Sequence, residues 1–158
     1  MSQFLIDSME DARQRTLALI DGLDADQLMG PKLSIINPLR WEIGHTAYFY
    51  EYWILRQHLG LDPLFDGVDT LYDSITIAHD DRWGLPLPGL EDTLAYMREV
   101  HDRVRRHVEQ DGPDPKRDYL LEYAIDHEDM HTEAFTYTRQ TLGYPTPAIG
   151  AVDDALLQ

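Results

Sequence analysis

Apolar residues recur every three or four positions in four stretches of the chain, and this helical spacing restricts the possible folds more than any other feature. The four stretches cover residues 2–23, 37–59, 90–110 and 114–142. Asn37-Pro38 and Asp114-Pro115 open the second and fourth stretches, where the polar residue can cap a helix and proline suits its first turn. The pattern predicts an all-α four-helix bundle.

A connection of about 30 residues joins the second and third predicted helices, and it is longer than a helix connection normally needs. Long connections of this kind are often functional. This one contains Tyr72, His79, Arg82 and Trp83, a mixture of aromatic and ionisable side chains that could line or cover a pocket. A crossover without a functional role is the alternative.

The length of 158 residues suits one ordinary domain, and a hydrophobic content of 43% is that of a globular protein. We expect this domain to cover residues 1–145. Residues 146–158 are punctuated by proline and glycine, and we expect them to be a tail or a truncated linker to an absent second domain.

The chain carries 29 acidic residues against 13 lysines and arginines, a net charge of -16. Such a field repels phosphate backbones and anionic lipids, so we expect neither nucleic acid nor a membrane as a partner. Acidic pairs such as Glu128-Asp129 are expected to be solvated. With no secretory signal and no apolar run approaching the roughly 18 to 20 residues of a membrane span, the expected location is the cytoplasm.

His127 and His131 lie one turn apart on the fourth predicted helix, so both imidazoles can reach the same ion. Ala124 and Phe135 make the same face apolar, which points the two histidines inward. Because two imidazoles leave a divalent ion under-coordinated, a ligand from another helix is required. His45, on the apolar face of the second helix, is the candidate.

Two neighbours of these histidines add to the prediction. Gly44 would let another backbone or a ligand approach closely beside His45, and Glu133 could be a ligand or could orient a ligating imidazole. The alternative is that the histidines are hydrogen-bonded core residues, because two histidines four apart occur by chance in many helices.

Three imidazoles suit Fe(II), Zn(II), Mn(II) or Ni(II), and the absence of cysteine excludes thiolate ligands. If the three histidines bind one face of the ion, coordination positions remain open, as a Lewis acid or an oxygen-activating centre requires.

Two motifs resemble those of a known family. The segments NPLRWEIGH (residues 37–45) and HEDMHTE (residues 127–133) resemble the DinB-like N-terminal domain of the ergothioneine-type sulfoxide synthases. The resemblance implies that His45, His127 and His131 bind non-haem iron, Fe(II), and that Glu133 supports the site without ligating. It covers nearly the whole chain.

The connection and the end of the fourth helix resemble the selenoneine synthase branch more than the thiol-using enzymes. The matching segments are YDS (72–74), His79, Arg82-Trp83, LPLP (85–88) and EAFTYTRQTLGYP (133–145). Both branches join sulfur or selenium to trimethylhistidine with oxygen. The thiol-using branch carries an arginine cluster that grips the carboxylates of the donor, whereas here Arg82 stands almost alone, so a selenosugar or thiosugar donor is expected. Met130 occupies a position where some relatives have Gln near trimethylhistidine.

Members of this family continue into a second domain that resembles the formylglycine-generating enzyme and supplies much of the trimethylhistidine pocket. We therefore expect such a domain to act with this chain, either in cis or in trans.

Three functions remain open. The leading one is a metal-binding domain of an oxygen-dependent enzyme that forms C–Se or C–S bonds on trimethylhistidine. The second is a stand-alone DinB-like thiol S-transferase, in which zinc or nickel lowers the pKa of a small thiol and no oxygen is needed. The third is a non-catalytic helical module whose acidic surface recruits a basic partner.

Overall fold

The computed structural model describes residues 2–149, and in this range the chain forms helices and turns but no strand. The helices are α1 (Ser2–Ile20), α2 (Ala25–Met29), α3 (Leu39–Tyr50), a π-helix that continues α3 (Glu51–His58), α4 (Val68–Tyr72), a 3₁₀-helix (His79–Trp83), α5 (Leu90–Gln110) and α6 (Pro115–Thr141). Helices α1 and α3 each pack against α5 and α6. The predicted all-α four-helix bundle is confirmed. None of the helices in the described range is long and apolar enough to cross a membrane.

The ends of the last two long helices agree with the sequence signals. Helix α5 has the predicted bounds. The side chain of Asp114 caps α6 by accepting hydrogen bonds from the backbone N–H groups of Lys116 and Arg117, and Gly143 follows the helix with a left-handed φ of 66°. The first helix ends three residues earlier than expected, and the unpredicted α2 follows, with a capping box formed by Asp24 and Gln27.

The start of α3 corrects one prediction. Asn37 does not cap the helix, which begins at Leu39 without a side-chain cap. Instead, the Asn37 amide donates a hydrogen bond to Glu42 (3.3 Å) and accepts one from Arg82 (2.7 Å). A side chain predicted to close a helix end therefore links α3 to the long connection.

A buried carboxylate lies where the four long helices meet. Glu128 of α6 is fully buried, and it accepts hydrogen bonds from Thr16 of α1 (2.7 Å) and from Tyr50 of α3 (2.9 Å). The Nε2 atom of His101 on α5 lies 4.0 Å from the same carboxylate. Burial raises the pKa of Glu128. The expectation that Glu128 is solvated was wrong, because an acid can stay inside a bundle when hydroxyl groups satisfy its oxygens.

The connection between the π-helix and α5 is ordered by polar contacts with the elements that it crosses. Arg56 of the π-helix forms two hydrogen bonds with Asp69 of α4, of 2.6 and 3.1 Å. The ring of His79 bonds the carbonyl of Ile36 (2.7 Å), and the indole N–H of Trp83 donates to the carbonyl of Gly30 (3.1 Å). These bonds hold the connection against the segment that precedes α3.

Candidate metal centre

Helices α3 and α6 bring the three predicted histidines together. His45, His127 and His131 each offer a ring nitrogen, and these nitrogens lie within 4.8 Å of one another. The ring centroids are 5.0 Å apart for His45 and His127, 5.0 Å for His45 and His131, and 4.6 Å for His127 and His131. Because ligand bonds to such an ion are about 2.1 Å long, small ring movements would let all three nitrogens share it.

The orientation of His45 is set by the end of α4. Its Nδ1–H donates to the carbonyl oxygen of Tyr72 (2.8 Å), and the indole N–H of Trp41 donates to the carbonyl of Leu71 (2.8 Å). Both carbonyls belong to the last turn of α4, where the helix itself supplies no partner. Since a carbonyl can only accept, Nδ1 of His45 carries the proton and Nε2 keeps a lone pair for a metal. Trp41 also stacks on the His45 ring, with centroids 4.7 Å apart.

Gly44 makes this arrangement possible. A Cβ atom at this position would lie 2.2 Å from the ring of Tyr72, far inside contact distance. The close approach expected beside His45 is therefore made by a side chain of the connection. Tyr72, predicted to line a pocket, is itself buried, and burial raises the pKa of its hydroxyl to about 12.

His131 is oriented by a residue that the sequence analysis did not select. Its Nδ1 atom lies 3.0 Å from Oε1 of Glu42, a carboxylate that is 1% exposed. Glu42 precedes His45 by three positions and so shares its inward face of α3. The sequence offered one signal for Glu42, namely an acid on a helix face that is otherwise apolar. The contact leaves Nε2 of His131 free for a metal.

His127 has an apolar support on one side. Its ring stacks on Phe49 of α3, with centroids 3.7 Å apart and an interplanar angle of 8°. Burial, with a smaller effect from the neighbouring imidazoles, lowers the pKa of His127 to about 2. Burial likewise lowers the pKa of His45 to about 3. Both rings are therefore neutral near pH 7, the form that binds metal.

Two buried atoms without partners fit a cation at this position. Within residues 2–149, neither Nδ1 of His127 nor Oε2 of Glu42 has a hydrogen-bond partner. Orphaned buried polar atoms are unfavourable, and a buried carboxylate such as that of Glu42 is stabilised by positive charge nearby. A divalent ion on the three histidines would supply that charge. The nitrogen donors suit Fe(II), Zn(II), Mn(II) or Ni(II), and metal binding by these residues stays a prediction.

Within residues 2–149, four other residues nominated from the sequence make no hydrogen bond or ring contact with the three histidines. Glu133 is exposed on α6 and makes no hydrogen bond or ion pair with the described residues, and Met130 is 62% exposed. His79 and Trp83 contact each other, with ring centroids 5.2 Å apart, and hold the connection in place as described above. Glu42, and not Glu133, forms a hydrogen bond with one of the three histidines; the supporting role expected of Glu133 stays a prediction. Substrate contacts by these residues stay predictions.

Comparison with known proteins agrees with the arrangement of the helices. The family model described as the DinB superfamily matches residues 8–135, a range that includes all three histidines. A hercynine oxygenase of Mycolicibacterium smegmatis is 30% identical over 131 residues, which are 82% of this chain and 30% of that protein. A hercynine oxygenase of Mycobacterium tuberculosis is 30% identical over 127 residues, 77% of this chain and 29% of that protein. The chain thus spans less than a third of the length of these relatives.

These similarities extend over most of the helical bundle, but they do not distinguish the selenoneine branch from the others, and that assignment stays a prediction. The matched range contains α3, most of α6 and the connection that orients His45. The chain belongs to the DinB superfamily.

Proposed function

We propose that this chain is the iron-binding domain of an oxygen-dependent enzyme that joins selenium or sulfur to trimethylhistidine. The observation that carries the proposal is the convergence of His45, His127 and His131, two of which are held with Nε2 available by Tyr72 and Glu42. The names of the relatives support the substrate, because hercynine is trimethylhistidine and the relatives are oxygenases.

The protein's part in this function is to hold the ion on one side only. Three ligands from two helices leave the remaining coordination positions to small molecules. A bound iron ion would supply Lewis acidity and redox chemistry toward oxygen. Trp41 and Phe49 stack on His45 and His127 and so fix the planes of two ligand rings. His127 and His131 are partly exposed, so the site can be reached from outside the bundle.

The scarcity of basic residues in the connection favours a donor with little negative charge. Arg82 is the only lysine or arginine between Gly60 and Gly89, and its guanidinium is already bonded to Asn37. A donor with two carboxylates would lack the usual cationic partners here. A selenosugar or thiosugar donor fits this environment better than an anionic thiol.

The fraction of its relatives' length that the chain covers supports the involvement of a second domain. Since the chain covers about 30% of the hercynine oxygenases, we propose that a domain resembling the formylglycine-generating enzyme completes the trimethylhistidine pocket, in cis or in trans. Two exposed aromatic side chains contact Phe49, which stacks on His127: they are Trp53 of the π-helix and Tyr123 of α6.

The test begins with metal content. Protein purified without oxygen should take up one Fe(II) per chain, measured by elemental analysis, and the double substitution His45→Ala and His127→Ala should abolish uptake. His107→Ala, which changes a histidine of α5 bonded to Asp111, is the control and should keep the iron. A wild-type chain that binds no stoichiometric metal, or a double variant with unchanged metal content, would overturn the proposal.

A second measurement distinguishes the two enzymatic functions. With the completing domain added, the iron-loaded chain should consume oxygen only when trimethylhistidine and a selenium or sulfur donor are both present. Conjugation of a small thiol by the zinc- or nickel-loaded chain without oxygen would instead indicate a thiol S-transferase, and it would contradict the proposed reaction.

A further inference from the structure

The long connection contributes a charged residue that contacts both halves of the candidate metal centre. We infer that Arg82 is a positioning residue, which holds His45 through Trp41 and holds His131 through Asn37 and Glu42. The inference rests on the proposed metal site. It assigns Arg82 a role different from lining or covering a pocket.

The first path runs through stacked rings. The guanidinium carbon of Arg82 lies 4.0 Å from the ring centroid of Trp41, within the range of a cation–π contact. The indole stacks on His45 at an interplanar angle of 9°. Arg82 and His45 thus both contact the indole of Trp41. Removal of the guanidinium would take one contact from this ring and leave the bond to the carbonyl of Leu71 to hold it, so the surface against which His45 stacks would be less firmly fixed.

The second path runs through hydrogen bonds. Nη1–H of Arg82 donates to Oδ1 of Asn37 (2.7 Å), which fixes the amide so that its Nδ2–H points to Oε1 of Glu42 (3.3 Å). The same Oε1 atom receives the Nδ1–H of His131 (3.0 Å). Arg82 therefore determines which way the amide faces, and the amide helps to hold the carboxylate that orients His131.

The surroundings of Arg82 make it possible to distinguish a positioning role from a direct effect of its charge on the metal. Within residues 2–149, Arg82 forms no direct ion pair with an acid, although the negative charge of Glu42 acts on it. Its positive charge also acts on His45, so it would oppose the binding of a metal ion there. If repulsion were its main effect, a neutral replacement would tighten metal binding. If Arg82 acts by positioning, the neutral replacement weakens binding. The sign of the change decides between the two.

The experiment measures Co(II) affinity by competition with a chelator and records the visible absorption of the bound ion, which reports ligand geometry. Outer contacts of metal ligands typically contribute 10- to 100-fold in affinity. Arg82→Gln should therefore weaken Co(II) binding by about 10-fold and alter the spectrum. Arg82→Lys should do the same, because lysine keeps the charge but loses the planar group that stacks and donates.

The control is Arg117→Gln. Arg117 is a buried arginine of α6 that donates to the carbonyls of His107 and Gly112, and it contacts neither the three histidines nor α4. This variant should lose thermal stability and keep the affinity and spectrum of the wild type. Asn37→Ala breaks only the second path, so it should weaken Co(II) binding less than Arg82→Gln does. The double variant should show less than the sum of the two changes, since both residues lie on that path.

Each outcome has a distinct meaning. Unchanged or tighter Co(II) binding by Arg82→Gln, with a normal wild type, would overturn the positioning role and leave the proposed function standing. Equal losses of Co(II) affinity in Arg117→Gln and Arg82→Gln would show that Arg82 matters only for stability. A wild-type chain that binds no Co(II) would instead remove the proposed function.

Discussion

Lowering the pH from 7 to 5 should strongly destabilise the metal-free chain. Burial lowers the pKa of His45 and His101 to about 3 and that of His127 to about 2, against 6.5 for an ordinary histidine. Below pH 6.5 these three histidines become protonated in the unfolded chain but stay neutral in the folded chain. The free energy of unfolding therefore decreases as the pH falls, until about pH 3. Each histidine contributes a loss of about 2 kcal/mol between pH 7 and pH 5, and the three together lose about 6 kcal/mol.

Glu128 acts in the opposite direction. Its pKa is raised by burial, so the folded chain takes up this proton more readily than the unfolded chain and gains stability as the pH falls. The gain is at most about 2.7 kcal/mol over two pH units. The net loss is therefore between about 3 and 6 kcal/mol, a large part of the 5 to 15 kcal/mol that is typical of a whole domain. Asp69, whose pKa is lowered by its bonds to Arg56, changes stability only below this pH window.

The assay is urea unfolding, followed by circular dichroism, of chelator-treated protein at pH 7, 6 and 5. His101→Gln removes one of the three groups without touching the candidate centre, so it should reduce the loss by about 2 kcal/mol. A free energy of unfolding that differs by less than about 1 kcal/mol between pH 7 and pH 5 would refute the reasoning.

Three further predictions concern single side chains. Gly44→Ala forces a methyl group against the buried ring of Tyr72, and we expect a loss of about 1 to 3 kcal/mol in unfolding free energy together with weaker Co(II) binding; normal values for both would contradict the proposed clash. Tyr50→Phe removes a donor to Glu128 and should lower the unfolding free energy at pH 7 by about 1 to 3 kcal/mol, a result that an unchanged urea midpoint would exclude. Glu133→Gln should change Co(II) affinity by less than about 0.5 kcal/mol, and a larger loss would restore this residue as a support of the metal.

The sequence predicted the features that depend on local periodicity. The four bundle helices follow from apolar spacing, and Asp114 marks the start of α6 as expected. The convergence of the histidines was also foreseen, because two positions four apart on α6 must share a face, and His45 was the inward histidine of another helix. Local patterns fix which face of a helix a residue occupies.

Contacts between distant elements were not predictable in the same way. Glu42 was missed because an acid on an apolar face gains meaning only when its partner, His131, is known to lie across the interface. Glu128 was misassigned for the same reason, since Thr16 and Tyr50 come from other helices. The π-helix that follows α3 carried no recognised sequence signal.

The dependence of His45 on the carbonyl of Tyr72 also sets an order of events during folding. The candidate metal centre needs α3, the connection that reaches α4, and α6, which leaves the ribosome after both. Contacts between segments so distant in sequence form slowly, because the ends of a long loop must first be brought together. We therefore expect the ion to be captured late, by a bundle that is already assembled, so that supply of the metal limits activation of the protein rather than its folding.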